Sequence, residues 1–87
     1  MEFIYPRNKM TIHVPVELDG SLGAAVLEVA HRSPSKRVHW HLDDTFLGTT
    51  SHFHQLEVQP SEGQHTLVVV DEDGQRIEQS FKVAVSR

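Results

Sequence analysis

The chain has 87 residues, 38% of them hydrophobic and 23% charged, with no cysteine and a formal net charge of −4. A chain this short builds one domain and buries only about 60–65% of its unfolded surface, so a second domain is excluded and the core is thin. Without cysteine there are no disulfides, no thiol catalysis and no Cys-based zinc site. Scattered Lys and Arg in an acidic chain argue against nucleic acid as partner, and the longest apolar runs, Ala24 to Leu27 and Leu67 to Val70, are too short to span a bilayer.

Alternating apolar and polar side chains predict about seven half-buried strands, and no helical period competes with them. The first runs from Phe3 to Val14 and is broken at Pro6, with Met10, Ile12 and Val14 on one face and Thr11 and His13 on the other. Proline there suits an edge strand or a switch between sheets. After a loop from Pro15 to Gly23, turned by Asp19-Gly20-Ser21, the second strand points Ala25, Leu27 and Val29 one way and Ala24, Val26, Glu28 and Ala30 the other. Ser33-Pro34-Ser35 separates it from Arg37 to Leu42, where Val38, Trp40 and Leu42 form the inward set.

Asp43-Asp44 predicts a tight turn into Thr45 to Thr49. In a two-residue type I′ turn Asp44 occupies a position that suits Gly better, at a cost of roughly 1 kcal/mol. Phe53 to Val58 reads as the next strand, although Phe53 falls on the opposite parity from Leu56 and Val58, which implies a bulge or a shifted register. His65 to Asp71 is apolar on both faces, as a central strand should be, and Asp71-Glu72-Asp73-Gly74 predicts a hairpin loop with Gly74 at positive φ. Ile77, Phe81, Val83 and Val85 then face inward against Glu78, Ser80, Lys82 and Ser86. The expected fold is all-β, an immunoglobulin-like antiparallel β-sandwich of about seven strands, a single domain over residues 1–87.

Two His-x-His pairs, His39 with His41 and His52 with His54, place imidazoles two apart on a strand, where each pair could chelate zinc. A zinc site needs further ligands, so the pairs would have to converge. In a sandwich their strands lie in different sheets with outward faces pointing apart, and solvated histidines are the expectation. Asp71-x-Asp73-Gly74 resembles the start of a calcium loop, but Lys82 stands where an EF-hand has its bidentate Glu, so a solvated turn is expected instead. There is no Gly-x-Ser-x-Gly elbow, and a small sandwich offers little concave volume, so catalytic residues, metal and cofactor are all read as none. Trp40 shares its parity with Val38 and Leu42 and reads as core rather than as a sugar platform. His65 reads as a partly buried, hydrogen-bonded strand residue.

The residues of the hairpins carry a resemblance. Val38-His-Trp-His-Leu-Asp-Asp-Thr-Phe-Leu-Gly-Thr-Thr50, Pro60-Ser-Glu-Gly-Gln-His-Thr-Leu-Val-Val-Val-Asp-Glu-Asp-Gly-Gln75 and Phe81-Lys82-Val83 resemble the C-terminal domain of the C-type bifunctional penicillin-binding proteins. The pattern there is Trp-x-Leu-Asp-Gly-x-x-Leu-Gly, then Pro-x-x-Gly-x-His-x-Leu-x-Val-Val-Asp-x-x-Gly. Asp44 departs from it at the turn glycine, and Tyr5-Pro6 with Ile12 matches the opening strand more loosely.

The resemblance implies a periplasmic module cut from the C-terminus of a membrane-anchored enzyme that polymerises and cross-links peptidoglycan, with the reaction centres on other domains. A secretory signal is absent from Met1-Glu-Phe-Ile-Tyr-Pro6, so work outside the cytoplasm implies a longer precursor. The expected role is a non-catalytic accessory module that binds an envelope protein, or positions its parent at the wall, through an exposed sheet face or edge strand. Two alternatives remain: a peptidoglycan-binding module using Tyr5 and Phe46 as exposed rings, and a purely structural cap. The sequence leaves oligomeric state open, including dimerisation through an edge strand.

Overall fold

A computed structural model of the protein describes residues 1–86, with the backbone alone at Ser86. Eight strands follow in order: β1 (Glu2–Tyr5), β2 (Met10–Pro15), β3 (Ala25–Ala30), β4 (Val38–Leu42), β5 (Thr45–Thr50), β6 (Gln55–Val58), β7 (Gly63–Asp71) and β8 (Arg76–Ser86). They form a three-stranded sheet, β1-β3-β6, and a five-stranded sheet, β2-β8-β7-β4-β5. This is an all-β, immunoglobulin-like sandwich. The strand count rises from about seven to eight because the stretch from Phe3 to Val14 is divided between the two sheets.

The division has a local cause. Pro6 is buried at the crossover, the Gln79 side-chain amide donates to its carbonyl oxygen, and the Ser80 amide donates to Asn8 Oδ1 at 3.1 Å while Lys9 N–H donates to Ser80 O at 2.7 Å. These bonds staple the crossover to β8, so β2 runs parallel to β8, from Met10 opposite Phe81 to Pro15 opposite Ser86. An antiparallel sandwich was expected throughout; this pair is the exception. Gln79 also corrects the expected inward set of β8, because it shares the parity of Ile77 and Phe81 and is buried. A buried amide is tolerated there because it has a carbonyl to meet.

The core lies where the inner faces meet. Leu27 and Val29 from the small sheet pack with Ile12, Val14, Val38, Trp40, Leu67, Val69, Phe81 and Val83 from the large one. β7 is the central strand, as its two apolar faces require, flanked by β8 and β4. Trp40 is fully buried and donates its indole N–H to Thr50 Oγ1 at 2.9 Å, which satisfies the polar end of the ring.

Both hairpin turns carry the backbone their residues imply. Asp43 and Asp44 have φ of 51° and 68°, the type I′ pattern, which gives the right-handed strand twist at the cost of two non-glycine residues in the left-handed region. Asp43 recovers part of that cost by accepting from Thr66 N–H at 2.8 Å. Asp44→Gly is therefore expected to raise stability by about 0.5–1 kcal/mol, partly offset by the extra freedom of Gly in the unfolded chain; a lowered urea midpoint would contradict this. In the β7–β8 hairpin, Gly74 has φ of 86° and its N–H donates to Asp71 O at 3.0 Å.

Candidate functional site

Three loops meet at one end of the sandwich: residues 31–37 between β3 and β4, residues 51–54 between β5 and β6, and residues 72–75 between β7 and β8. Short polar loops of this kind would ordinarily move independently, but here they are bonded to each other. His52 N–H donates to Pro34 O at 2.8 Å, Glu72 N–H to Arg37 O at 3.0 Å, and Arg37 N–H to Glu72 Oε1 at 2.7 Å, while Lys36 forms an ion pair with Asp73.

Underneath sit two histidines. Ser33 N–H donates to His31 Nδ1 at 2.8 Å, which leaves Nε2 to carry the proton and donate to Asp71 Oδ2 at 2.9 Å. The two side chains are 7% and 3% exposed. Asp71 Oδ1 accepts from the Asp73 and Gln75 amides at 3.0 and 2.8 Å. The bonds to local amides match the turn expected from the sequence, but the turn is not solvated at Asp71: the carboxylate is buried because His31, forty residues earlier, covers it.

The His31 hydrogen bond, with the two turn amides, holds the Asp71 carboxyl below its ordinary value against the opposing effect of desolvation. Because the folded value is depressed, this group contributes stability fully above the unfolded value of 3.8 and loses it as pH falls through the folded value. Unfolding midpoints in urea should therefore drop in acid below that point, and Asp71→Asn should flatten the drop while lowering stability at neutral pH. An equal acid slope in the two proteins would exclude Asp71 as its source.

His54 differs most from its expected place. The sequence predicts it as the solvated partner of His52, with a strand starting at Phe53, yet β6 begins at Gln55 and His54 is buried. Thr50 Oγ1 accepts from the Trp40 indole N–H and donates its hydroxyl to His54 Nδ1 at 2.8 Å, while His54 Nε2 donates to Pro34 O at 2.8 Å. Fully satisfied relays of this kind rigidify what they join. They hold His52, at φ 69°, and Phe53 in a fixed bend between anchors, so the conflicting parity of Phe53 came from a loop and not from a bulge in a strand. Phe53 is 85% exposed. Its backbone is tied on both sides, by His52 N–H on Pro34 O and by Val29 N–H on His54 O at 3.0 Å, so the ring is presented to water from a braced loop.

The remaining sequence candidates are spread over the molecule. His39 and His41 lie on the outer face of β4, where His39 Nδ1 meets Thr49 Oγ1 at 2.9 Å and the His41 ring lies 5.4 Å from that of Phe46. The two His-x-His pairs do not converge, and among the described residues no three His, Cys, Asp or Glu side chains group as a metal site. His65 is buried, with Nε2 donating to Ser61 O at 2.6 Å and Nδ1 against Asp43 Oδ2 at 2.5 Å. Burial pushes the Asp43 carboxyl up, but the Thr66 amide and His65 outweigh it and hold the group below its ordinary value.

Phe46 is 57% exposed on β5, whereas Tyr5 on β1 is half-buried and packs against the core. The two rings belong to different sheets and do not form one platform. No helix among the described residues is long and apolar enough to cross a membrane.

Comparison with known proteins gives the arrangement a context. No curated protein sequence matches the chain. Among solved structures, the fold is similar to a fibronectin(III)-like module of Clostridium thermocellum CbhA, with a TM-score of 0.68 over 99% of this chain and 98% of that one. At 16% identity that likeness bears on fold alone. The sequence pattern of the penicillin-binding protein C-terminus family matches residues 1–83, which is nearly the whole domain, and the chain therefore belongs to the Penicillin-Binding Protein C-terminus Family.

Proposed function

We propose that this domain is a non-catalytic accessory module of a peptidoglycan-synthesising penicillin-binding protein, working in the periplasm as part of a larger membrane-anchored chain. Its role is to bind an envelope protein and so position the parent enzyme at the wall. Family membership supports the context. The observation that carries the interaction role is Phe53, held out in water by three cross-braced loops. Binding surfaces draw most of their energy from a few rigid aromatic anchors, and a preorganised loop avoids the entropy cost of ordering on contact.

The second reading, glycan contact at Tyr5 and Phe46, is favoured at Phe46 by its exposure and by the polar His39, His41 and Thr49 around it. Amide NMR of the labelled domain separates the readings. With detergent-solubilised envelope proteins, perturbation is expected at residues 51–53 and in the two neighbouring loops, and Phe53→Ala should weaken it roughly 30-fold, the effect of losing an aromatic anchor. A soluble muropeptide digest that shifts residues around Phe46 instead would move the assignment to glycan binding. Silence with both additives would leave the structural cap.

A further inference from the structure

The sandwich has four edge strands, and three of them are guarded. β1 carries Glu2 and runs into Pro6, β2 contains Pro15, and β6 carries Glu57 and is followed by Pro60. Charge and proline are the usual means of stopping an edge from pairing with foreign chains. β5 reads Thr-Phe-Leu-Gly-Thr-Thr, with neither, and pairs with β4 on one side only. Its one irregularity is the bulge at Leu47, where Trp40 faces Gly48 but His41 faces Phe46.

The bulge has a consequence for the edge, since an extra residue re-aims its side chain. Phe46 stays on the outer face opposite His41, while Leu47 turns into a crevice of about 230 Å³ between the two sheets, lined also by Leu42, Leu56, Val58, Pro60 and Glu57. A strand edge without charge or proline therefore runs beside an apolar slot. Acidic groups mark this region: Glu57 on the slot, and Asp43 and Asp44 where β5 begins. No Lys or Arg lines the slot, and Lys36, at the other end of the hairpin, is paired with Asp73.

We propose that β5 and the slot beside it bind an extended, basic segment of a partner protein by strand addition. The segment hydrogen-bonds along the free edge of β5, places alternate apolar side chains against Leu47, Leu56 and Val58, and sets a Lys or Arg beside Glu57 or Asp44. Backbone pairing supplies affinity in such complexes and the alternate side chains supply selectivity. A second copy of this chain fits less well, because its β5 brings no basic residue to those carboxylates. The proposal rests on the accessory role above but on a different surface, since the slot lies toward the Asp43-Asp44 turn and the loop platform lies at the other end.

Three capped synthetic heptapeptides test it: Lys-Thr-Val-Thr-Val-Thr-Lys, the same peptide with Glu at both ends, and the Lys form with Pro at its centre. The Lys peptide should shift the amides of residues 45–50 and the methyls of Leu47, Leu56 and Val58, and should slow amide exchange along β5. The Glu form should bind roughly tenfold more weakly and the Pro form not at all, and the Glu57→Lys variant, at an exposed site, should erase or reverse the preference.

Absence of β5 shifts up to about 5 mM peptide, equal binding of all three peptides, or shifts centred on another surface would overturn the proposal. So would peptide-free, concentration-dependent shifts along β5, which would assign the edge to a second copy. Because the Phe53 loop reports separately in the same spectra, failure here is distinguishable from failure of the accessory role.

Discussion

Trp40→Ala is expected to lower stability by about 3–5 kcal/mol, the cost of removing a fully buried large ring and leaving a cavity. A domain of this size has only about 4–13 kcal/mol in total, so the variant should be close to unfolded at physiological temperature. Trp40 lies on β4, between β7 and β5, and touches both the core and the hydrogen-bond relay that begins at its indole nitrogen. Trp40→Phe separates the two contributions. It keeps most of the ring but removes the donor to Thr50, and should cost about 1–2 kcal/mol.

Because Trp40 is the chain's one tryptophan, unfolding in urea must be followed by circular dichroism and not by fluorescence. A Trp40→Ala domain within about 1 kcal/mol of wild type would mean that the core is not organised around this residue.

The second large effect is expected at His54. Replacing it with Ala leaves the Thr50 hydroxyl proton without its acceptor, removes one of the two donors to Pro34 O, and opens a void beside His31, whose ring lies 6.1 Å away. The expected loss is roughly 2–3 kcal/mol. Unlike the loss at Trp40, it should be felt as function before global unfolding. Amides of residues 51–53 should exchange faster, and a partner that relies on Phe53 should bind more weakly because the ring must then be ordered on contact.

A double-mutant cycle with Thr50→Val checks that the relay acts as a unit. The two losses should fall short of additivity by more than about 0.5 kcal/mol. Full additivity, or unchanged exchange in the loop, would show that His54 does not brace Phe53.

Residue by residue, the sequence was most informative where a side chain's fate depends on its immediate neighbours. The parity of Val38, Trp40, Phe81 and Val83 placed them inward, and all four are fully buried. The acidic turn at Asp43-Asp44 and the glycine at position 74 announced their backbone conformations, because left-handed φ selects residue types locally. The candidate surface was legible only in part. Phe53 showed itself as a residue out of phase with its supposed strand, which was the one available sign of a loop. His54 gave no such sign, since a histidine two residues from another reads as a solvated face until its acceptors on Thr50 and Pro34 are known.

The sequence by itself determined the all-β class, the inward faces of most strands, the two tight hairpins and the resemblance to its family. All of these depend on period-two alternation or on short motifs, which are properties of contiguous residues. Only the tertiary structure decided that β2 lies parallel to β8, that His31 covers Asp71, that Gln79 is buried against Pro6, and that β5 is an edge strand. Each of those depends on partners far apart in the chain. Alternation says which face of a strand is dry, but strand order, direction and the pairing of buried polar groups are chosen by packing, which no local pattern encodes.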